Sequence, residues 1–388
     1  MKLIGIGAAG NKAVIDAVKS NSIGIENVLL VNSTNKDVES DFSDYLINIG
    51  LNRGGCGKER AKGFNYAFSS LQNDLGEAID QFISDEDDIV GIVTSSEGGT
   101  GSGSTPIVAK YLYEELGLNV HVFIFTGFEE DVRGIANTID LFKELEDKYT
   151  IHIIRNSTFI ADDNSSYVNA ESLANRHFIE MYNVLVGATI NKSFQNIDDA
   201  DLFKVVNNPG YSVVLNVKLN RTTQPEDIDS LIKNEIIKMH TFKNDNSKCR
   251  AIATIVGIND VNMNIDRKFN IVKQTFGMPY ESFIHIQETG PDNQFITFII
   301  SGMDMPENEI KEIYNRYTSS MSNVKTERDS FFSKNDEFAT TNESFDFNPN
   351  RRKTRKKDNS KSSFFNREKQ SNINATLNVI EKPTEEDY

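Results

Sequence analysis

Glycine and hydroxyl residues crowd the stretch Ser95-Ser96-Glu97-Gly98-Gly99-Thr100-Gly101-Ser102-Gly103-Ser104, and residues of these types do one chemistry well, which is holding a phosphate. Glycines let backbone N–H groups approach an anion with no Cβ in the way. A helix start adds unpaired N–H groups and the positive end of a dipole, and Thr100, Ser102 and Ser104 add hydroxyl donors. The flanking segments suit the task. Ile89-Val90-Gly91-Ile92-Val93 reads as a buried parallel strand, and Thr105 to Leu112, with Pro106 in its first turn, reads as a helix. A flexible linker has the same composition, but it has no use when wedged between a strand and a helix. The run lacks a Gly-Lys-Ser/Thr ending, so it is not the lysine-bearing phosphate loop of the Walker type.

A second glycine loop lies near the N-terminus. Residues 2–7 form a short strand that enters Gly5-Ile6-Gly7-Ala8-Ala9-Gly10-Asn11, and a helix with Ala13, Val14, Ala17 and Val18 on one side follows. A dinucleotide site of this pattern needs an acidic residue closing the second strand to hold a ribose. The second strand, Asn27 to Val31, ends on Asn32-Ser33-Thr34-Asn35 instead. Two glycine loops fit one nucleotide whose phosphates lie between two helix N-termini, with Ala9, Gly10 and Asn11 on one side and Gly98 to Gly103 on the other. A third loop, Asn52-Arg53-Gly54-Gly55-Cys56-Gly57, precedes a helix carrying Phe64, Ala67, Phe68, Leu71 and Leu75; Arg53 and Lys58 either offset an anion's charge or are simply solvated.

Further along, the strand Val120 to Phe125 leads to Glu129 and Arg133, which are either site residues or an i,i+4 ion pair at a helix start. The strand Thr150 to Ile154 ends on Arg155-Asn156-Ser157. A long helix follows, from about Ala170 to Ser193, spanning roughly 30 Å at 1.5 Å per residue, with Asn175 near its start. Its far end meets Asn196-Ile197-Asp198-Asp199-Ala200-Asp201, three carboxylates in four residues, which crowd unfavourably unless solvated or used.

Taken in order, these motifs resemble the GTPases of the tubulin/FtsZ superfamily over roughly residues 1–318. The resemblance implies GTP or GDP with Mg2+ as the ligands. The signature loop Gly98, Gly99, Thr100, Gly101, Ser102 and Gly103, and the first loop at Ala9, Gly10 and Asn11, would then hold the phosphates. Glu129 and Arg133 would contact sugar and phosphates, Asn156 the sugar or base, and Asn175 the guanine. Asn196, Asp198 and Asp201 would enter the neighbouring subunit's pocket as catalytic residues and polarise the attacking water in a head-to-tail filament. No protein-held metal is expected. Ala8 and Ala9 stand where FtsZ is richer in glycine, and the short apolar-acidic C-terminal peptide of FtsZ is missing. A basic tail resembles that of the TubZ branch, tubulin-like proteins of plasmid and phage DNA segregation that meet a DNA-bound adaptor (TubR). A cell-division ring protein and a non-polymerising nucleotide-binding enzyme are the alternatives.

Length and composition frame this reading. A chain of 388 residues with 38% hydrophobic content can bury a large core, and no apolar run reaches membrane-spanning length. A cytoplasmic protein with no membrane partner is expected. Cys56 and Cys249 are far apart and the five histidines are scattered, which argues against zinc or a disulfide scaffold. The expected fold class is α/β: a parallel-sheet GTP-binding domain with glycine-rich phosphate loops (1–169), a long central helix (170–195) and an acidic loop with its following helix (196–206). A smaller α+β domain with a four-stranded sheet (207–321) and a flexible tail (322–388) complete it. The net charge of −16 is uneven, because residues 319–388 carry 13 Lys and Arg against 12 Asp and Glu, leaving 28 against 45 in the body. An acidic body is a poor DNA ligand. The tail's Arg351, Arg352, Lys353, Arg355, Lys356 and Lys357 instead offer a basic block for an acidic adaptor surface or DNA phosphate, or serve to solubilise the tail.

Overall fold

Runs such as Val28-Leu29-Leu30-Val31 are apolar on both sides of a strand and require cover on both faces, and they lie fully buried in a ten-stranded sheet. The computed structural model describes residues 1–50, 54–160, 166–190, 199–243, 248–258, 265–290 and 292–321. Strands β1 (Lys2–Ile6), β2 (Val28–Asn32), β3 (Leu46–Asn48), β4 (Ile89–Ser95), β5 (Asn119–Thr126) and β6 (Thr150–Arg155) are parallel and lie in the order 3-2-1-4-5-6. Strands β7 (Gly210–Lys218), β8 (Ala251–Ile258), β9 (Glu281–Glu288) and β10 (Phe295–Met303) continue the same sheet in the order 7-10-8-9. There β10 runs antiparallel to β7 and β8, while β8 and β9 are parallel. The four strands expected within residues 207–321 are hydrogen-bonded onto the first six, so that all ten form one sheet. The joint between β6 and β7 is narrow: Thr150 pairs with Gly210 and Ile151 with Tyr211. Residues Met1–Thr326 cluster as one compact unit, and the tail with its basic block, 322–388, lies outside the described residues.

Helices α1 (Gly7–Lys19), α2 (Arg60–Leu71), α3 (Asp74–Phe82), α4 (Gly99–Lys110) and α5 (Val132–Leu145) cover the first half; α6 (Tyr167–Ile190), α7 (Asp199–Val206), α8 (Ile228–Ile237), α9 (Ile265–Phe276) and α10 (Glu307–Met321) follow. On α6, Phe178, Tyr182 and Leu185 are buried, and Phe178 meets Phe123 edge-on with ring centres 5.2 Å apart. Each such side chain contributes about 2 kcal/mol of burial. Two boundaries differ from the sequence expectation. The helix carrying Phe64 to Leu75 breaks into α2 and α3 after Leu71, and α4 begins at Gly99 rather than Thr105. Gly99, Gly101 and Gly103 are therefore helical, and close packing explains them. A Cβ on Gly63 would lie 2.2 Å from the Gly99 oxygen, and one on Gly103 2.2 Å from the Arg60 oxygen, so α2 and α4 touch backbone to backbone. Among the described residues no helix is long and apolar enough to cross a membrane.

A buried polar chain fixes α7 beneath the sheet. His121 Nδ1 lies 3.1 Å from His152 Nε2, and His121 Nε2 lies 2.9 Å from Asn207 Oδ1. The amide oxygen accepts, so His121 carries its proton on Nε2 and its Nδ1 accepts from His152. A second proton on His121 would set two donors face to face. Burial is the first cause of its depressed pKa, brought down from 6.5 to about 4. The unfolded ring titrates near its ordinary value, so the stability contributed by neutral His121 is complete above pH 6.5 and is lost as pH falls toward 4. Urea unfolding is expected to show about 2 kcal/mol less stability at pH 5 than at pH 8 from this ring alone. His121→Gln should flatten that slope, and an unchanged slope would assign the acid sensitivity to other groups.

Candidate functional site

The strand order reverses between β1 and β4, where α1 and α4 leave the carboxyl ends of neighbouring strands. In an open α/β sheet this crevice is where ligands bind. Neither helix start is capped by a side chain: Ile6 precedes α1 and Gly98 precedes α4. First-turn N–H groups outside the helical ladder need a partner, and an anion is a good one. The two starts adjoin, because Gly7 has φ +77° and a Cβ there would lie 3.2 Å from the Gly101 nitrogen. Gly10 lets α1 lie on β4, since a Cβ there would meet the Val93 oxygen at 2.1 Å.

A cleft of about 270 Å3 opens beside these helix starts, lined by Ala9, Lys58, Ser95, Glu97, Gly127, Phe128 and Asn156 among others. Asn156 is buried and its Oδ1 has no partner, which suits a ligand donor such as an amide or hydroxyl hydrogen. Asn11 is also buried: its Nδ2 donates to the Val31 oxygen at 3.2 Å and its Oδ1 is unsatisfied. The orphaned oxygens and uncapped helix starts together fit a nucleotide. A second recess, between α6, β7 and α8, is lined by His177, Glu180, Lys218, Glu235 and Lys238. It lacks both helix starts.

Other expected site residues are placed differently. Ser102 Oγ donates to the Gly98 oxygen (2.6 Å), Ser104 Oγ donates to the Gly63 oxygen (3.0 Å), and Thr100 Oγ1 pairs with Ser33 Oγ (2.7 Å). The Ser102 and Ser104 hydroxyls donate within the protein, whereas the Thr100–Ser33 pair uses one of its two hydroxyl hydrogens, so the other and the backbone N–H groups are the phosphate donors. The Gly99 N–H itself donates to the Gly57 oxygen at 2.7 Å. Asn175 Nδ2 donates to Asp16 Oδ2 (2.6 Å), and the residue of α6 that reaches the cleft is Glu171, one turn earlier. Glu129 turns inward with φ +60°, its carboxylate held by Arg155, while its neighbours Phe128 and Glu130 line the cleft. Arg133 is half-buried in the first turn of α5. Asp201 is half-buried on α7, and Asn196 and Asp198 lie outside the described residues, as do Asn52 and Arg53.

Sequence reasoning missed the acidic lining. Glu97, Glu130, Asp131 and Glu171 stand around the cleft with Lys58, which pairs with Asp131. Burial pushes the Glu97 carboxyl up. Burial opposes the charge of Asp131 as well, but hydrogen bonds from Lys58 and from the Gly134 N–H hold its carboxyl below the ordinary range. The signal for Glu97 was its place directly before the glycine run. Among the described residues no group of three or more His, Cys, Asp or Glu is arranged to hold a metal.

The fold is shared with solved structures of CetZ and TubZ proteins. A GDP-bound CetZ1 monomer from Haloferax volcanii superposes with a TM-score of 0.67 at 20% identity, covering 83% of this chain and 100% of that one. A GTPγS-form protofilament of TubZ from Bacillus thuringiensis serovar israelensis gives 0.65 at 16% identity, covering 83% and 92%. Among curated sequences, the tubulin-like protein TubZ of Clostridium botulinum C phage is 28% identical over 204 residues, 50% of this chain and 53% of that protein. The cell division protein FtsZ 2 of Halobacterium salinarum is 23% identical over 223 residues, covering 55% and 53%. The matches therefore span about half the length of these relatives. No family model matches the chain.

Proposed function

We propose that the chain is a tubulin-like GTPase. It binds GTP or GDP with Mg2+ at the β1/β4 crevice and assembles head to tail, so that Asn196, Asp198 and Asp201 of one copy complete the pocket of the next. The observation that carries this reading is the pair of uncapped helix starts facing one crevice, with the orphaned Oδ1 of Asn156 in the adjoining cleft. The backbone N–H groups of α1 and α4 would hold phosphate oxygens, helped by Lys58. Arg133 and Asn175 would reach the nucleotide after local rearrangement, and Glu129 would act from its place beside Glu97, where Arg155 holds it. A triphosphate among four carboxylates and one lysine needs a cation of its own, and Mg2+ bound mostly by phosphate and water needs few protein ligands. The choice of guanine rests on the superfamily resemblance.

Support for self-assembly comes from a structural neighbour that is itself a protofilament. Movement of plasmid or phage DNA through a DNA-bound adaptor, by way of the tail's Arg351 to Lys357, rests on the TubZ relative and the basic block. A cell-division role is the second reading, favoured by an FtsZ match of similar extent. Turnover against protein concentration tests the shared site. Specific GTPase activity is expected to be absent below a critical concentration and to rise above it, with GTP outcompeting ATP. Constant specific activity at all concentrations would point to a complete site in each monomer and overturn assembly-dependent hydrolysis.

A further inference from the structure

A chain of polar contacts leaves the cleft by a route separate from the long helix α6. Glu97, directly before the glycines that open α4, accepts the Glu129 backbone N–H on Oε1 at 3.0 Å. Glu129 stands at φ +60°, a conformation that costs a residue with a side chain, so its surroundings hold it there. The grip is visible: Arg155 donates to Glu129 through Nε (2.5 Å) and NH2 (2.7 Å), and Ser157 Oγ adds a contact at 3.2 Å. The remaining Arg155 nitrogen, NH1, donates to Glu309 Oε1 on α10 at 2.6 Å, and Glu309 Oε2 accepts the Lys243 N–H at 3.0 Å. Arg155 also gives its backbone N–H to the His240 oxygen (2.8 Å) and lies over the Phe242 ring.

The side chains of Glu129, Arg155 and Glu309 are 8%, 16% and 29% exposed, so water screens these charges weakly. Charge-assisted bonds in such surroundings are strong and directional, and the planar guanidinium transmits orientation as a rigid fork. One end of the chain is the cleft: Glu97 lines it, and Asn156 follows Arg155 directly. The other end is α10 and the 240–243 segment, both in the part of the molecule that follows β7.

We propose that Arg155 is a positioning residue that couples occupancy of the phosphate end of the cleft to the placement of α10, through Glu97, Glu129, Arg155 and Glu309. The coupling rests on the nucleotide reading above. An anion at the start of α4 repels the Glu97 carboxylate. Movement of Glu97 carries the Glu129 N–H with it, the fork of Arg155 follows Glu129, and NH1 carries the displacement to Glu309. A contiguous charged network of this kind transmits coupling when its members have two discrete arrangements.

Amide hydrogen exchange on α10 with and without GTPγS tests the proposal, at protein concentrations below assembly and with GTPγS affinity measured in parallel. In the wild type, GTPγS is expected to slow exchange over 307–321 by about five-fold or more. Glu309→Gln keeps the shape and removes the charge. It should bind GTPγS within about two-fold of the wild type while its α10 response is lost. Arg155→Lys keeps the charge and removes the fork, and should lose the response too. Because α10 also packs on α5, a response that persists in either variant would assign the effect to that packing and overturn the proposal. Binding by the wild type with no change on α10 would also overturn it alone, whereas failure of the wild type to bind any guanine nucleotide would overturn the functional reading and this inference with it.

Discussion

Asp201→Asn and Asp198→Asn are each expected to leave nucleotide binding nearly intact and to cut GTP turnover by about 10²- to 10⁴-fold, the usual contribution of a positioned acid or base. Asp201 rides on a well-fixed helix. Leu202, Val205 and Val206 are buried, Asn207 is tied to His121, and Lys204 gives its ammonium to Glu281. A change at Asp201 therefore removes a carboxylate without loosening its support. Asp198 lies outside the described residues, and its expected role rests on the superfamily resemblance of the loop from Asn196 to Asp201. If these carboxylates act in a neighbour's pocket, the variants should form polymers that persist in GTP. Trace variant added to wild type should then slow disassembly out of proportion to its amount. Light scattering and phosphate release on mixtures measure both, and linear mixing with no long-lived polymer would rule out a shared site.

Gly101→Arg is the second large effect, and the structure changes its reason. The sequence alone suggests that a side chain here fills space needed by phosphate. In the fold a Cβ on Gly101 points inward, to 2.5 Å from the Ser95 oxygen and 2.8 Å from Thr94 Oγ1. An arginine there must part α4 from β4, which is expected to cost at least about 3 kcal/mol, at the upper end for overpacking. The melting temperature should fall even without nucleotide, and binding is lost as a consequence. Thr100→Ala provides the contrast, since it removes one hydroxyl contact with Ser33 at about 1 kcal/mol. Equal unfolding midpoints for Gly101→Arg and wild type would show that the site tolerates the side chain.

Local pattern made much of the fold legible. The strands expected at 89–93, 120–125 and 150–154 appear as β4, β5 and β6 within two residues at each end, because unbroken β-branched runs leave few other options. Helix α6 was legible from its apolar stripe, and its start at Tyr167 rather than Ala170 is ordinary end variation. Two things were hidden. Glycines open to a ligand and glycines pressed against a neighbouring backbone are the same letters, so the packing of α2 on α4 needed coordinates. The fate of a polar side chain is set by partners far away in sequence: Ser104 finds Gly63, Glu129 finds Arg155, and Asn175 finds Asp16. Asn156 is singled out by the superfamily resemblance, and it stands at the end of β6 and lines the cleft.

The β6–β7 joint gives the molecule a mechanical character. Six residue pairs join β5 to β6 and seven join β7 to β10, but two join β6 to β7. Gly210 at that joint has φ +109°, a backbone setting closed to most side chains. Torsional load between the first six strands and the last four concentrates at this compliant waist, where few bonds resist it. Arg155 sits on β6 at the same waist and reaches α10 beyond it. It spans the joint like a tie rod, adding its charged bonds to the two ladder pairs and to the packing of α10 on α5.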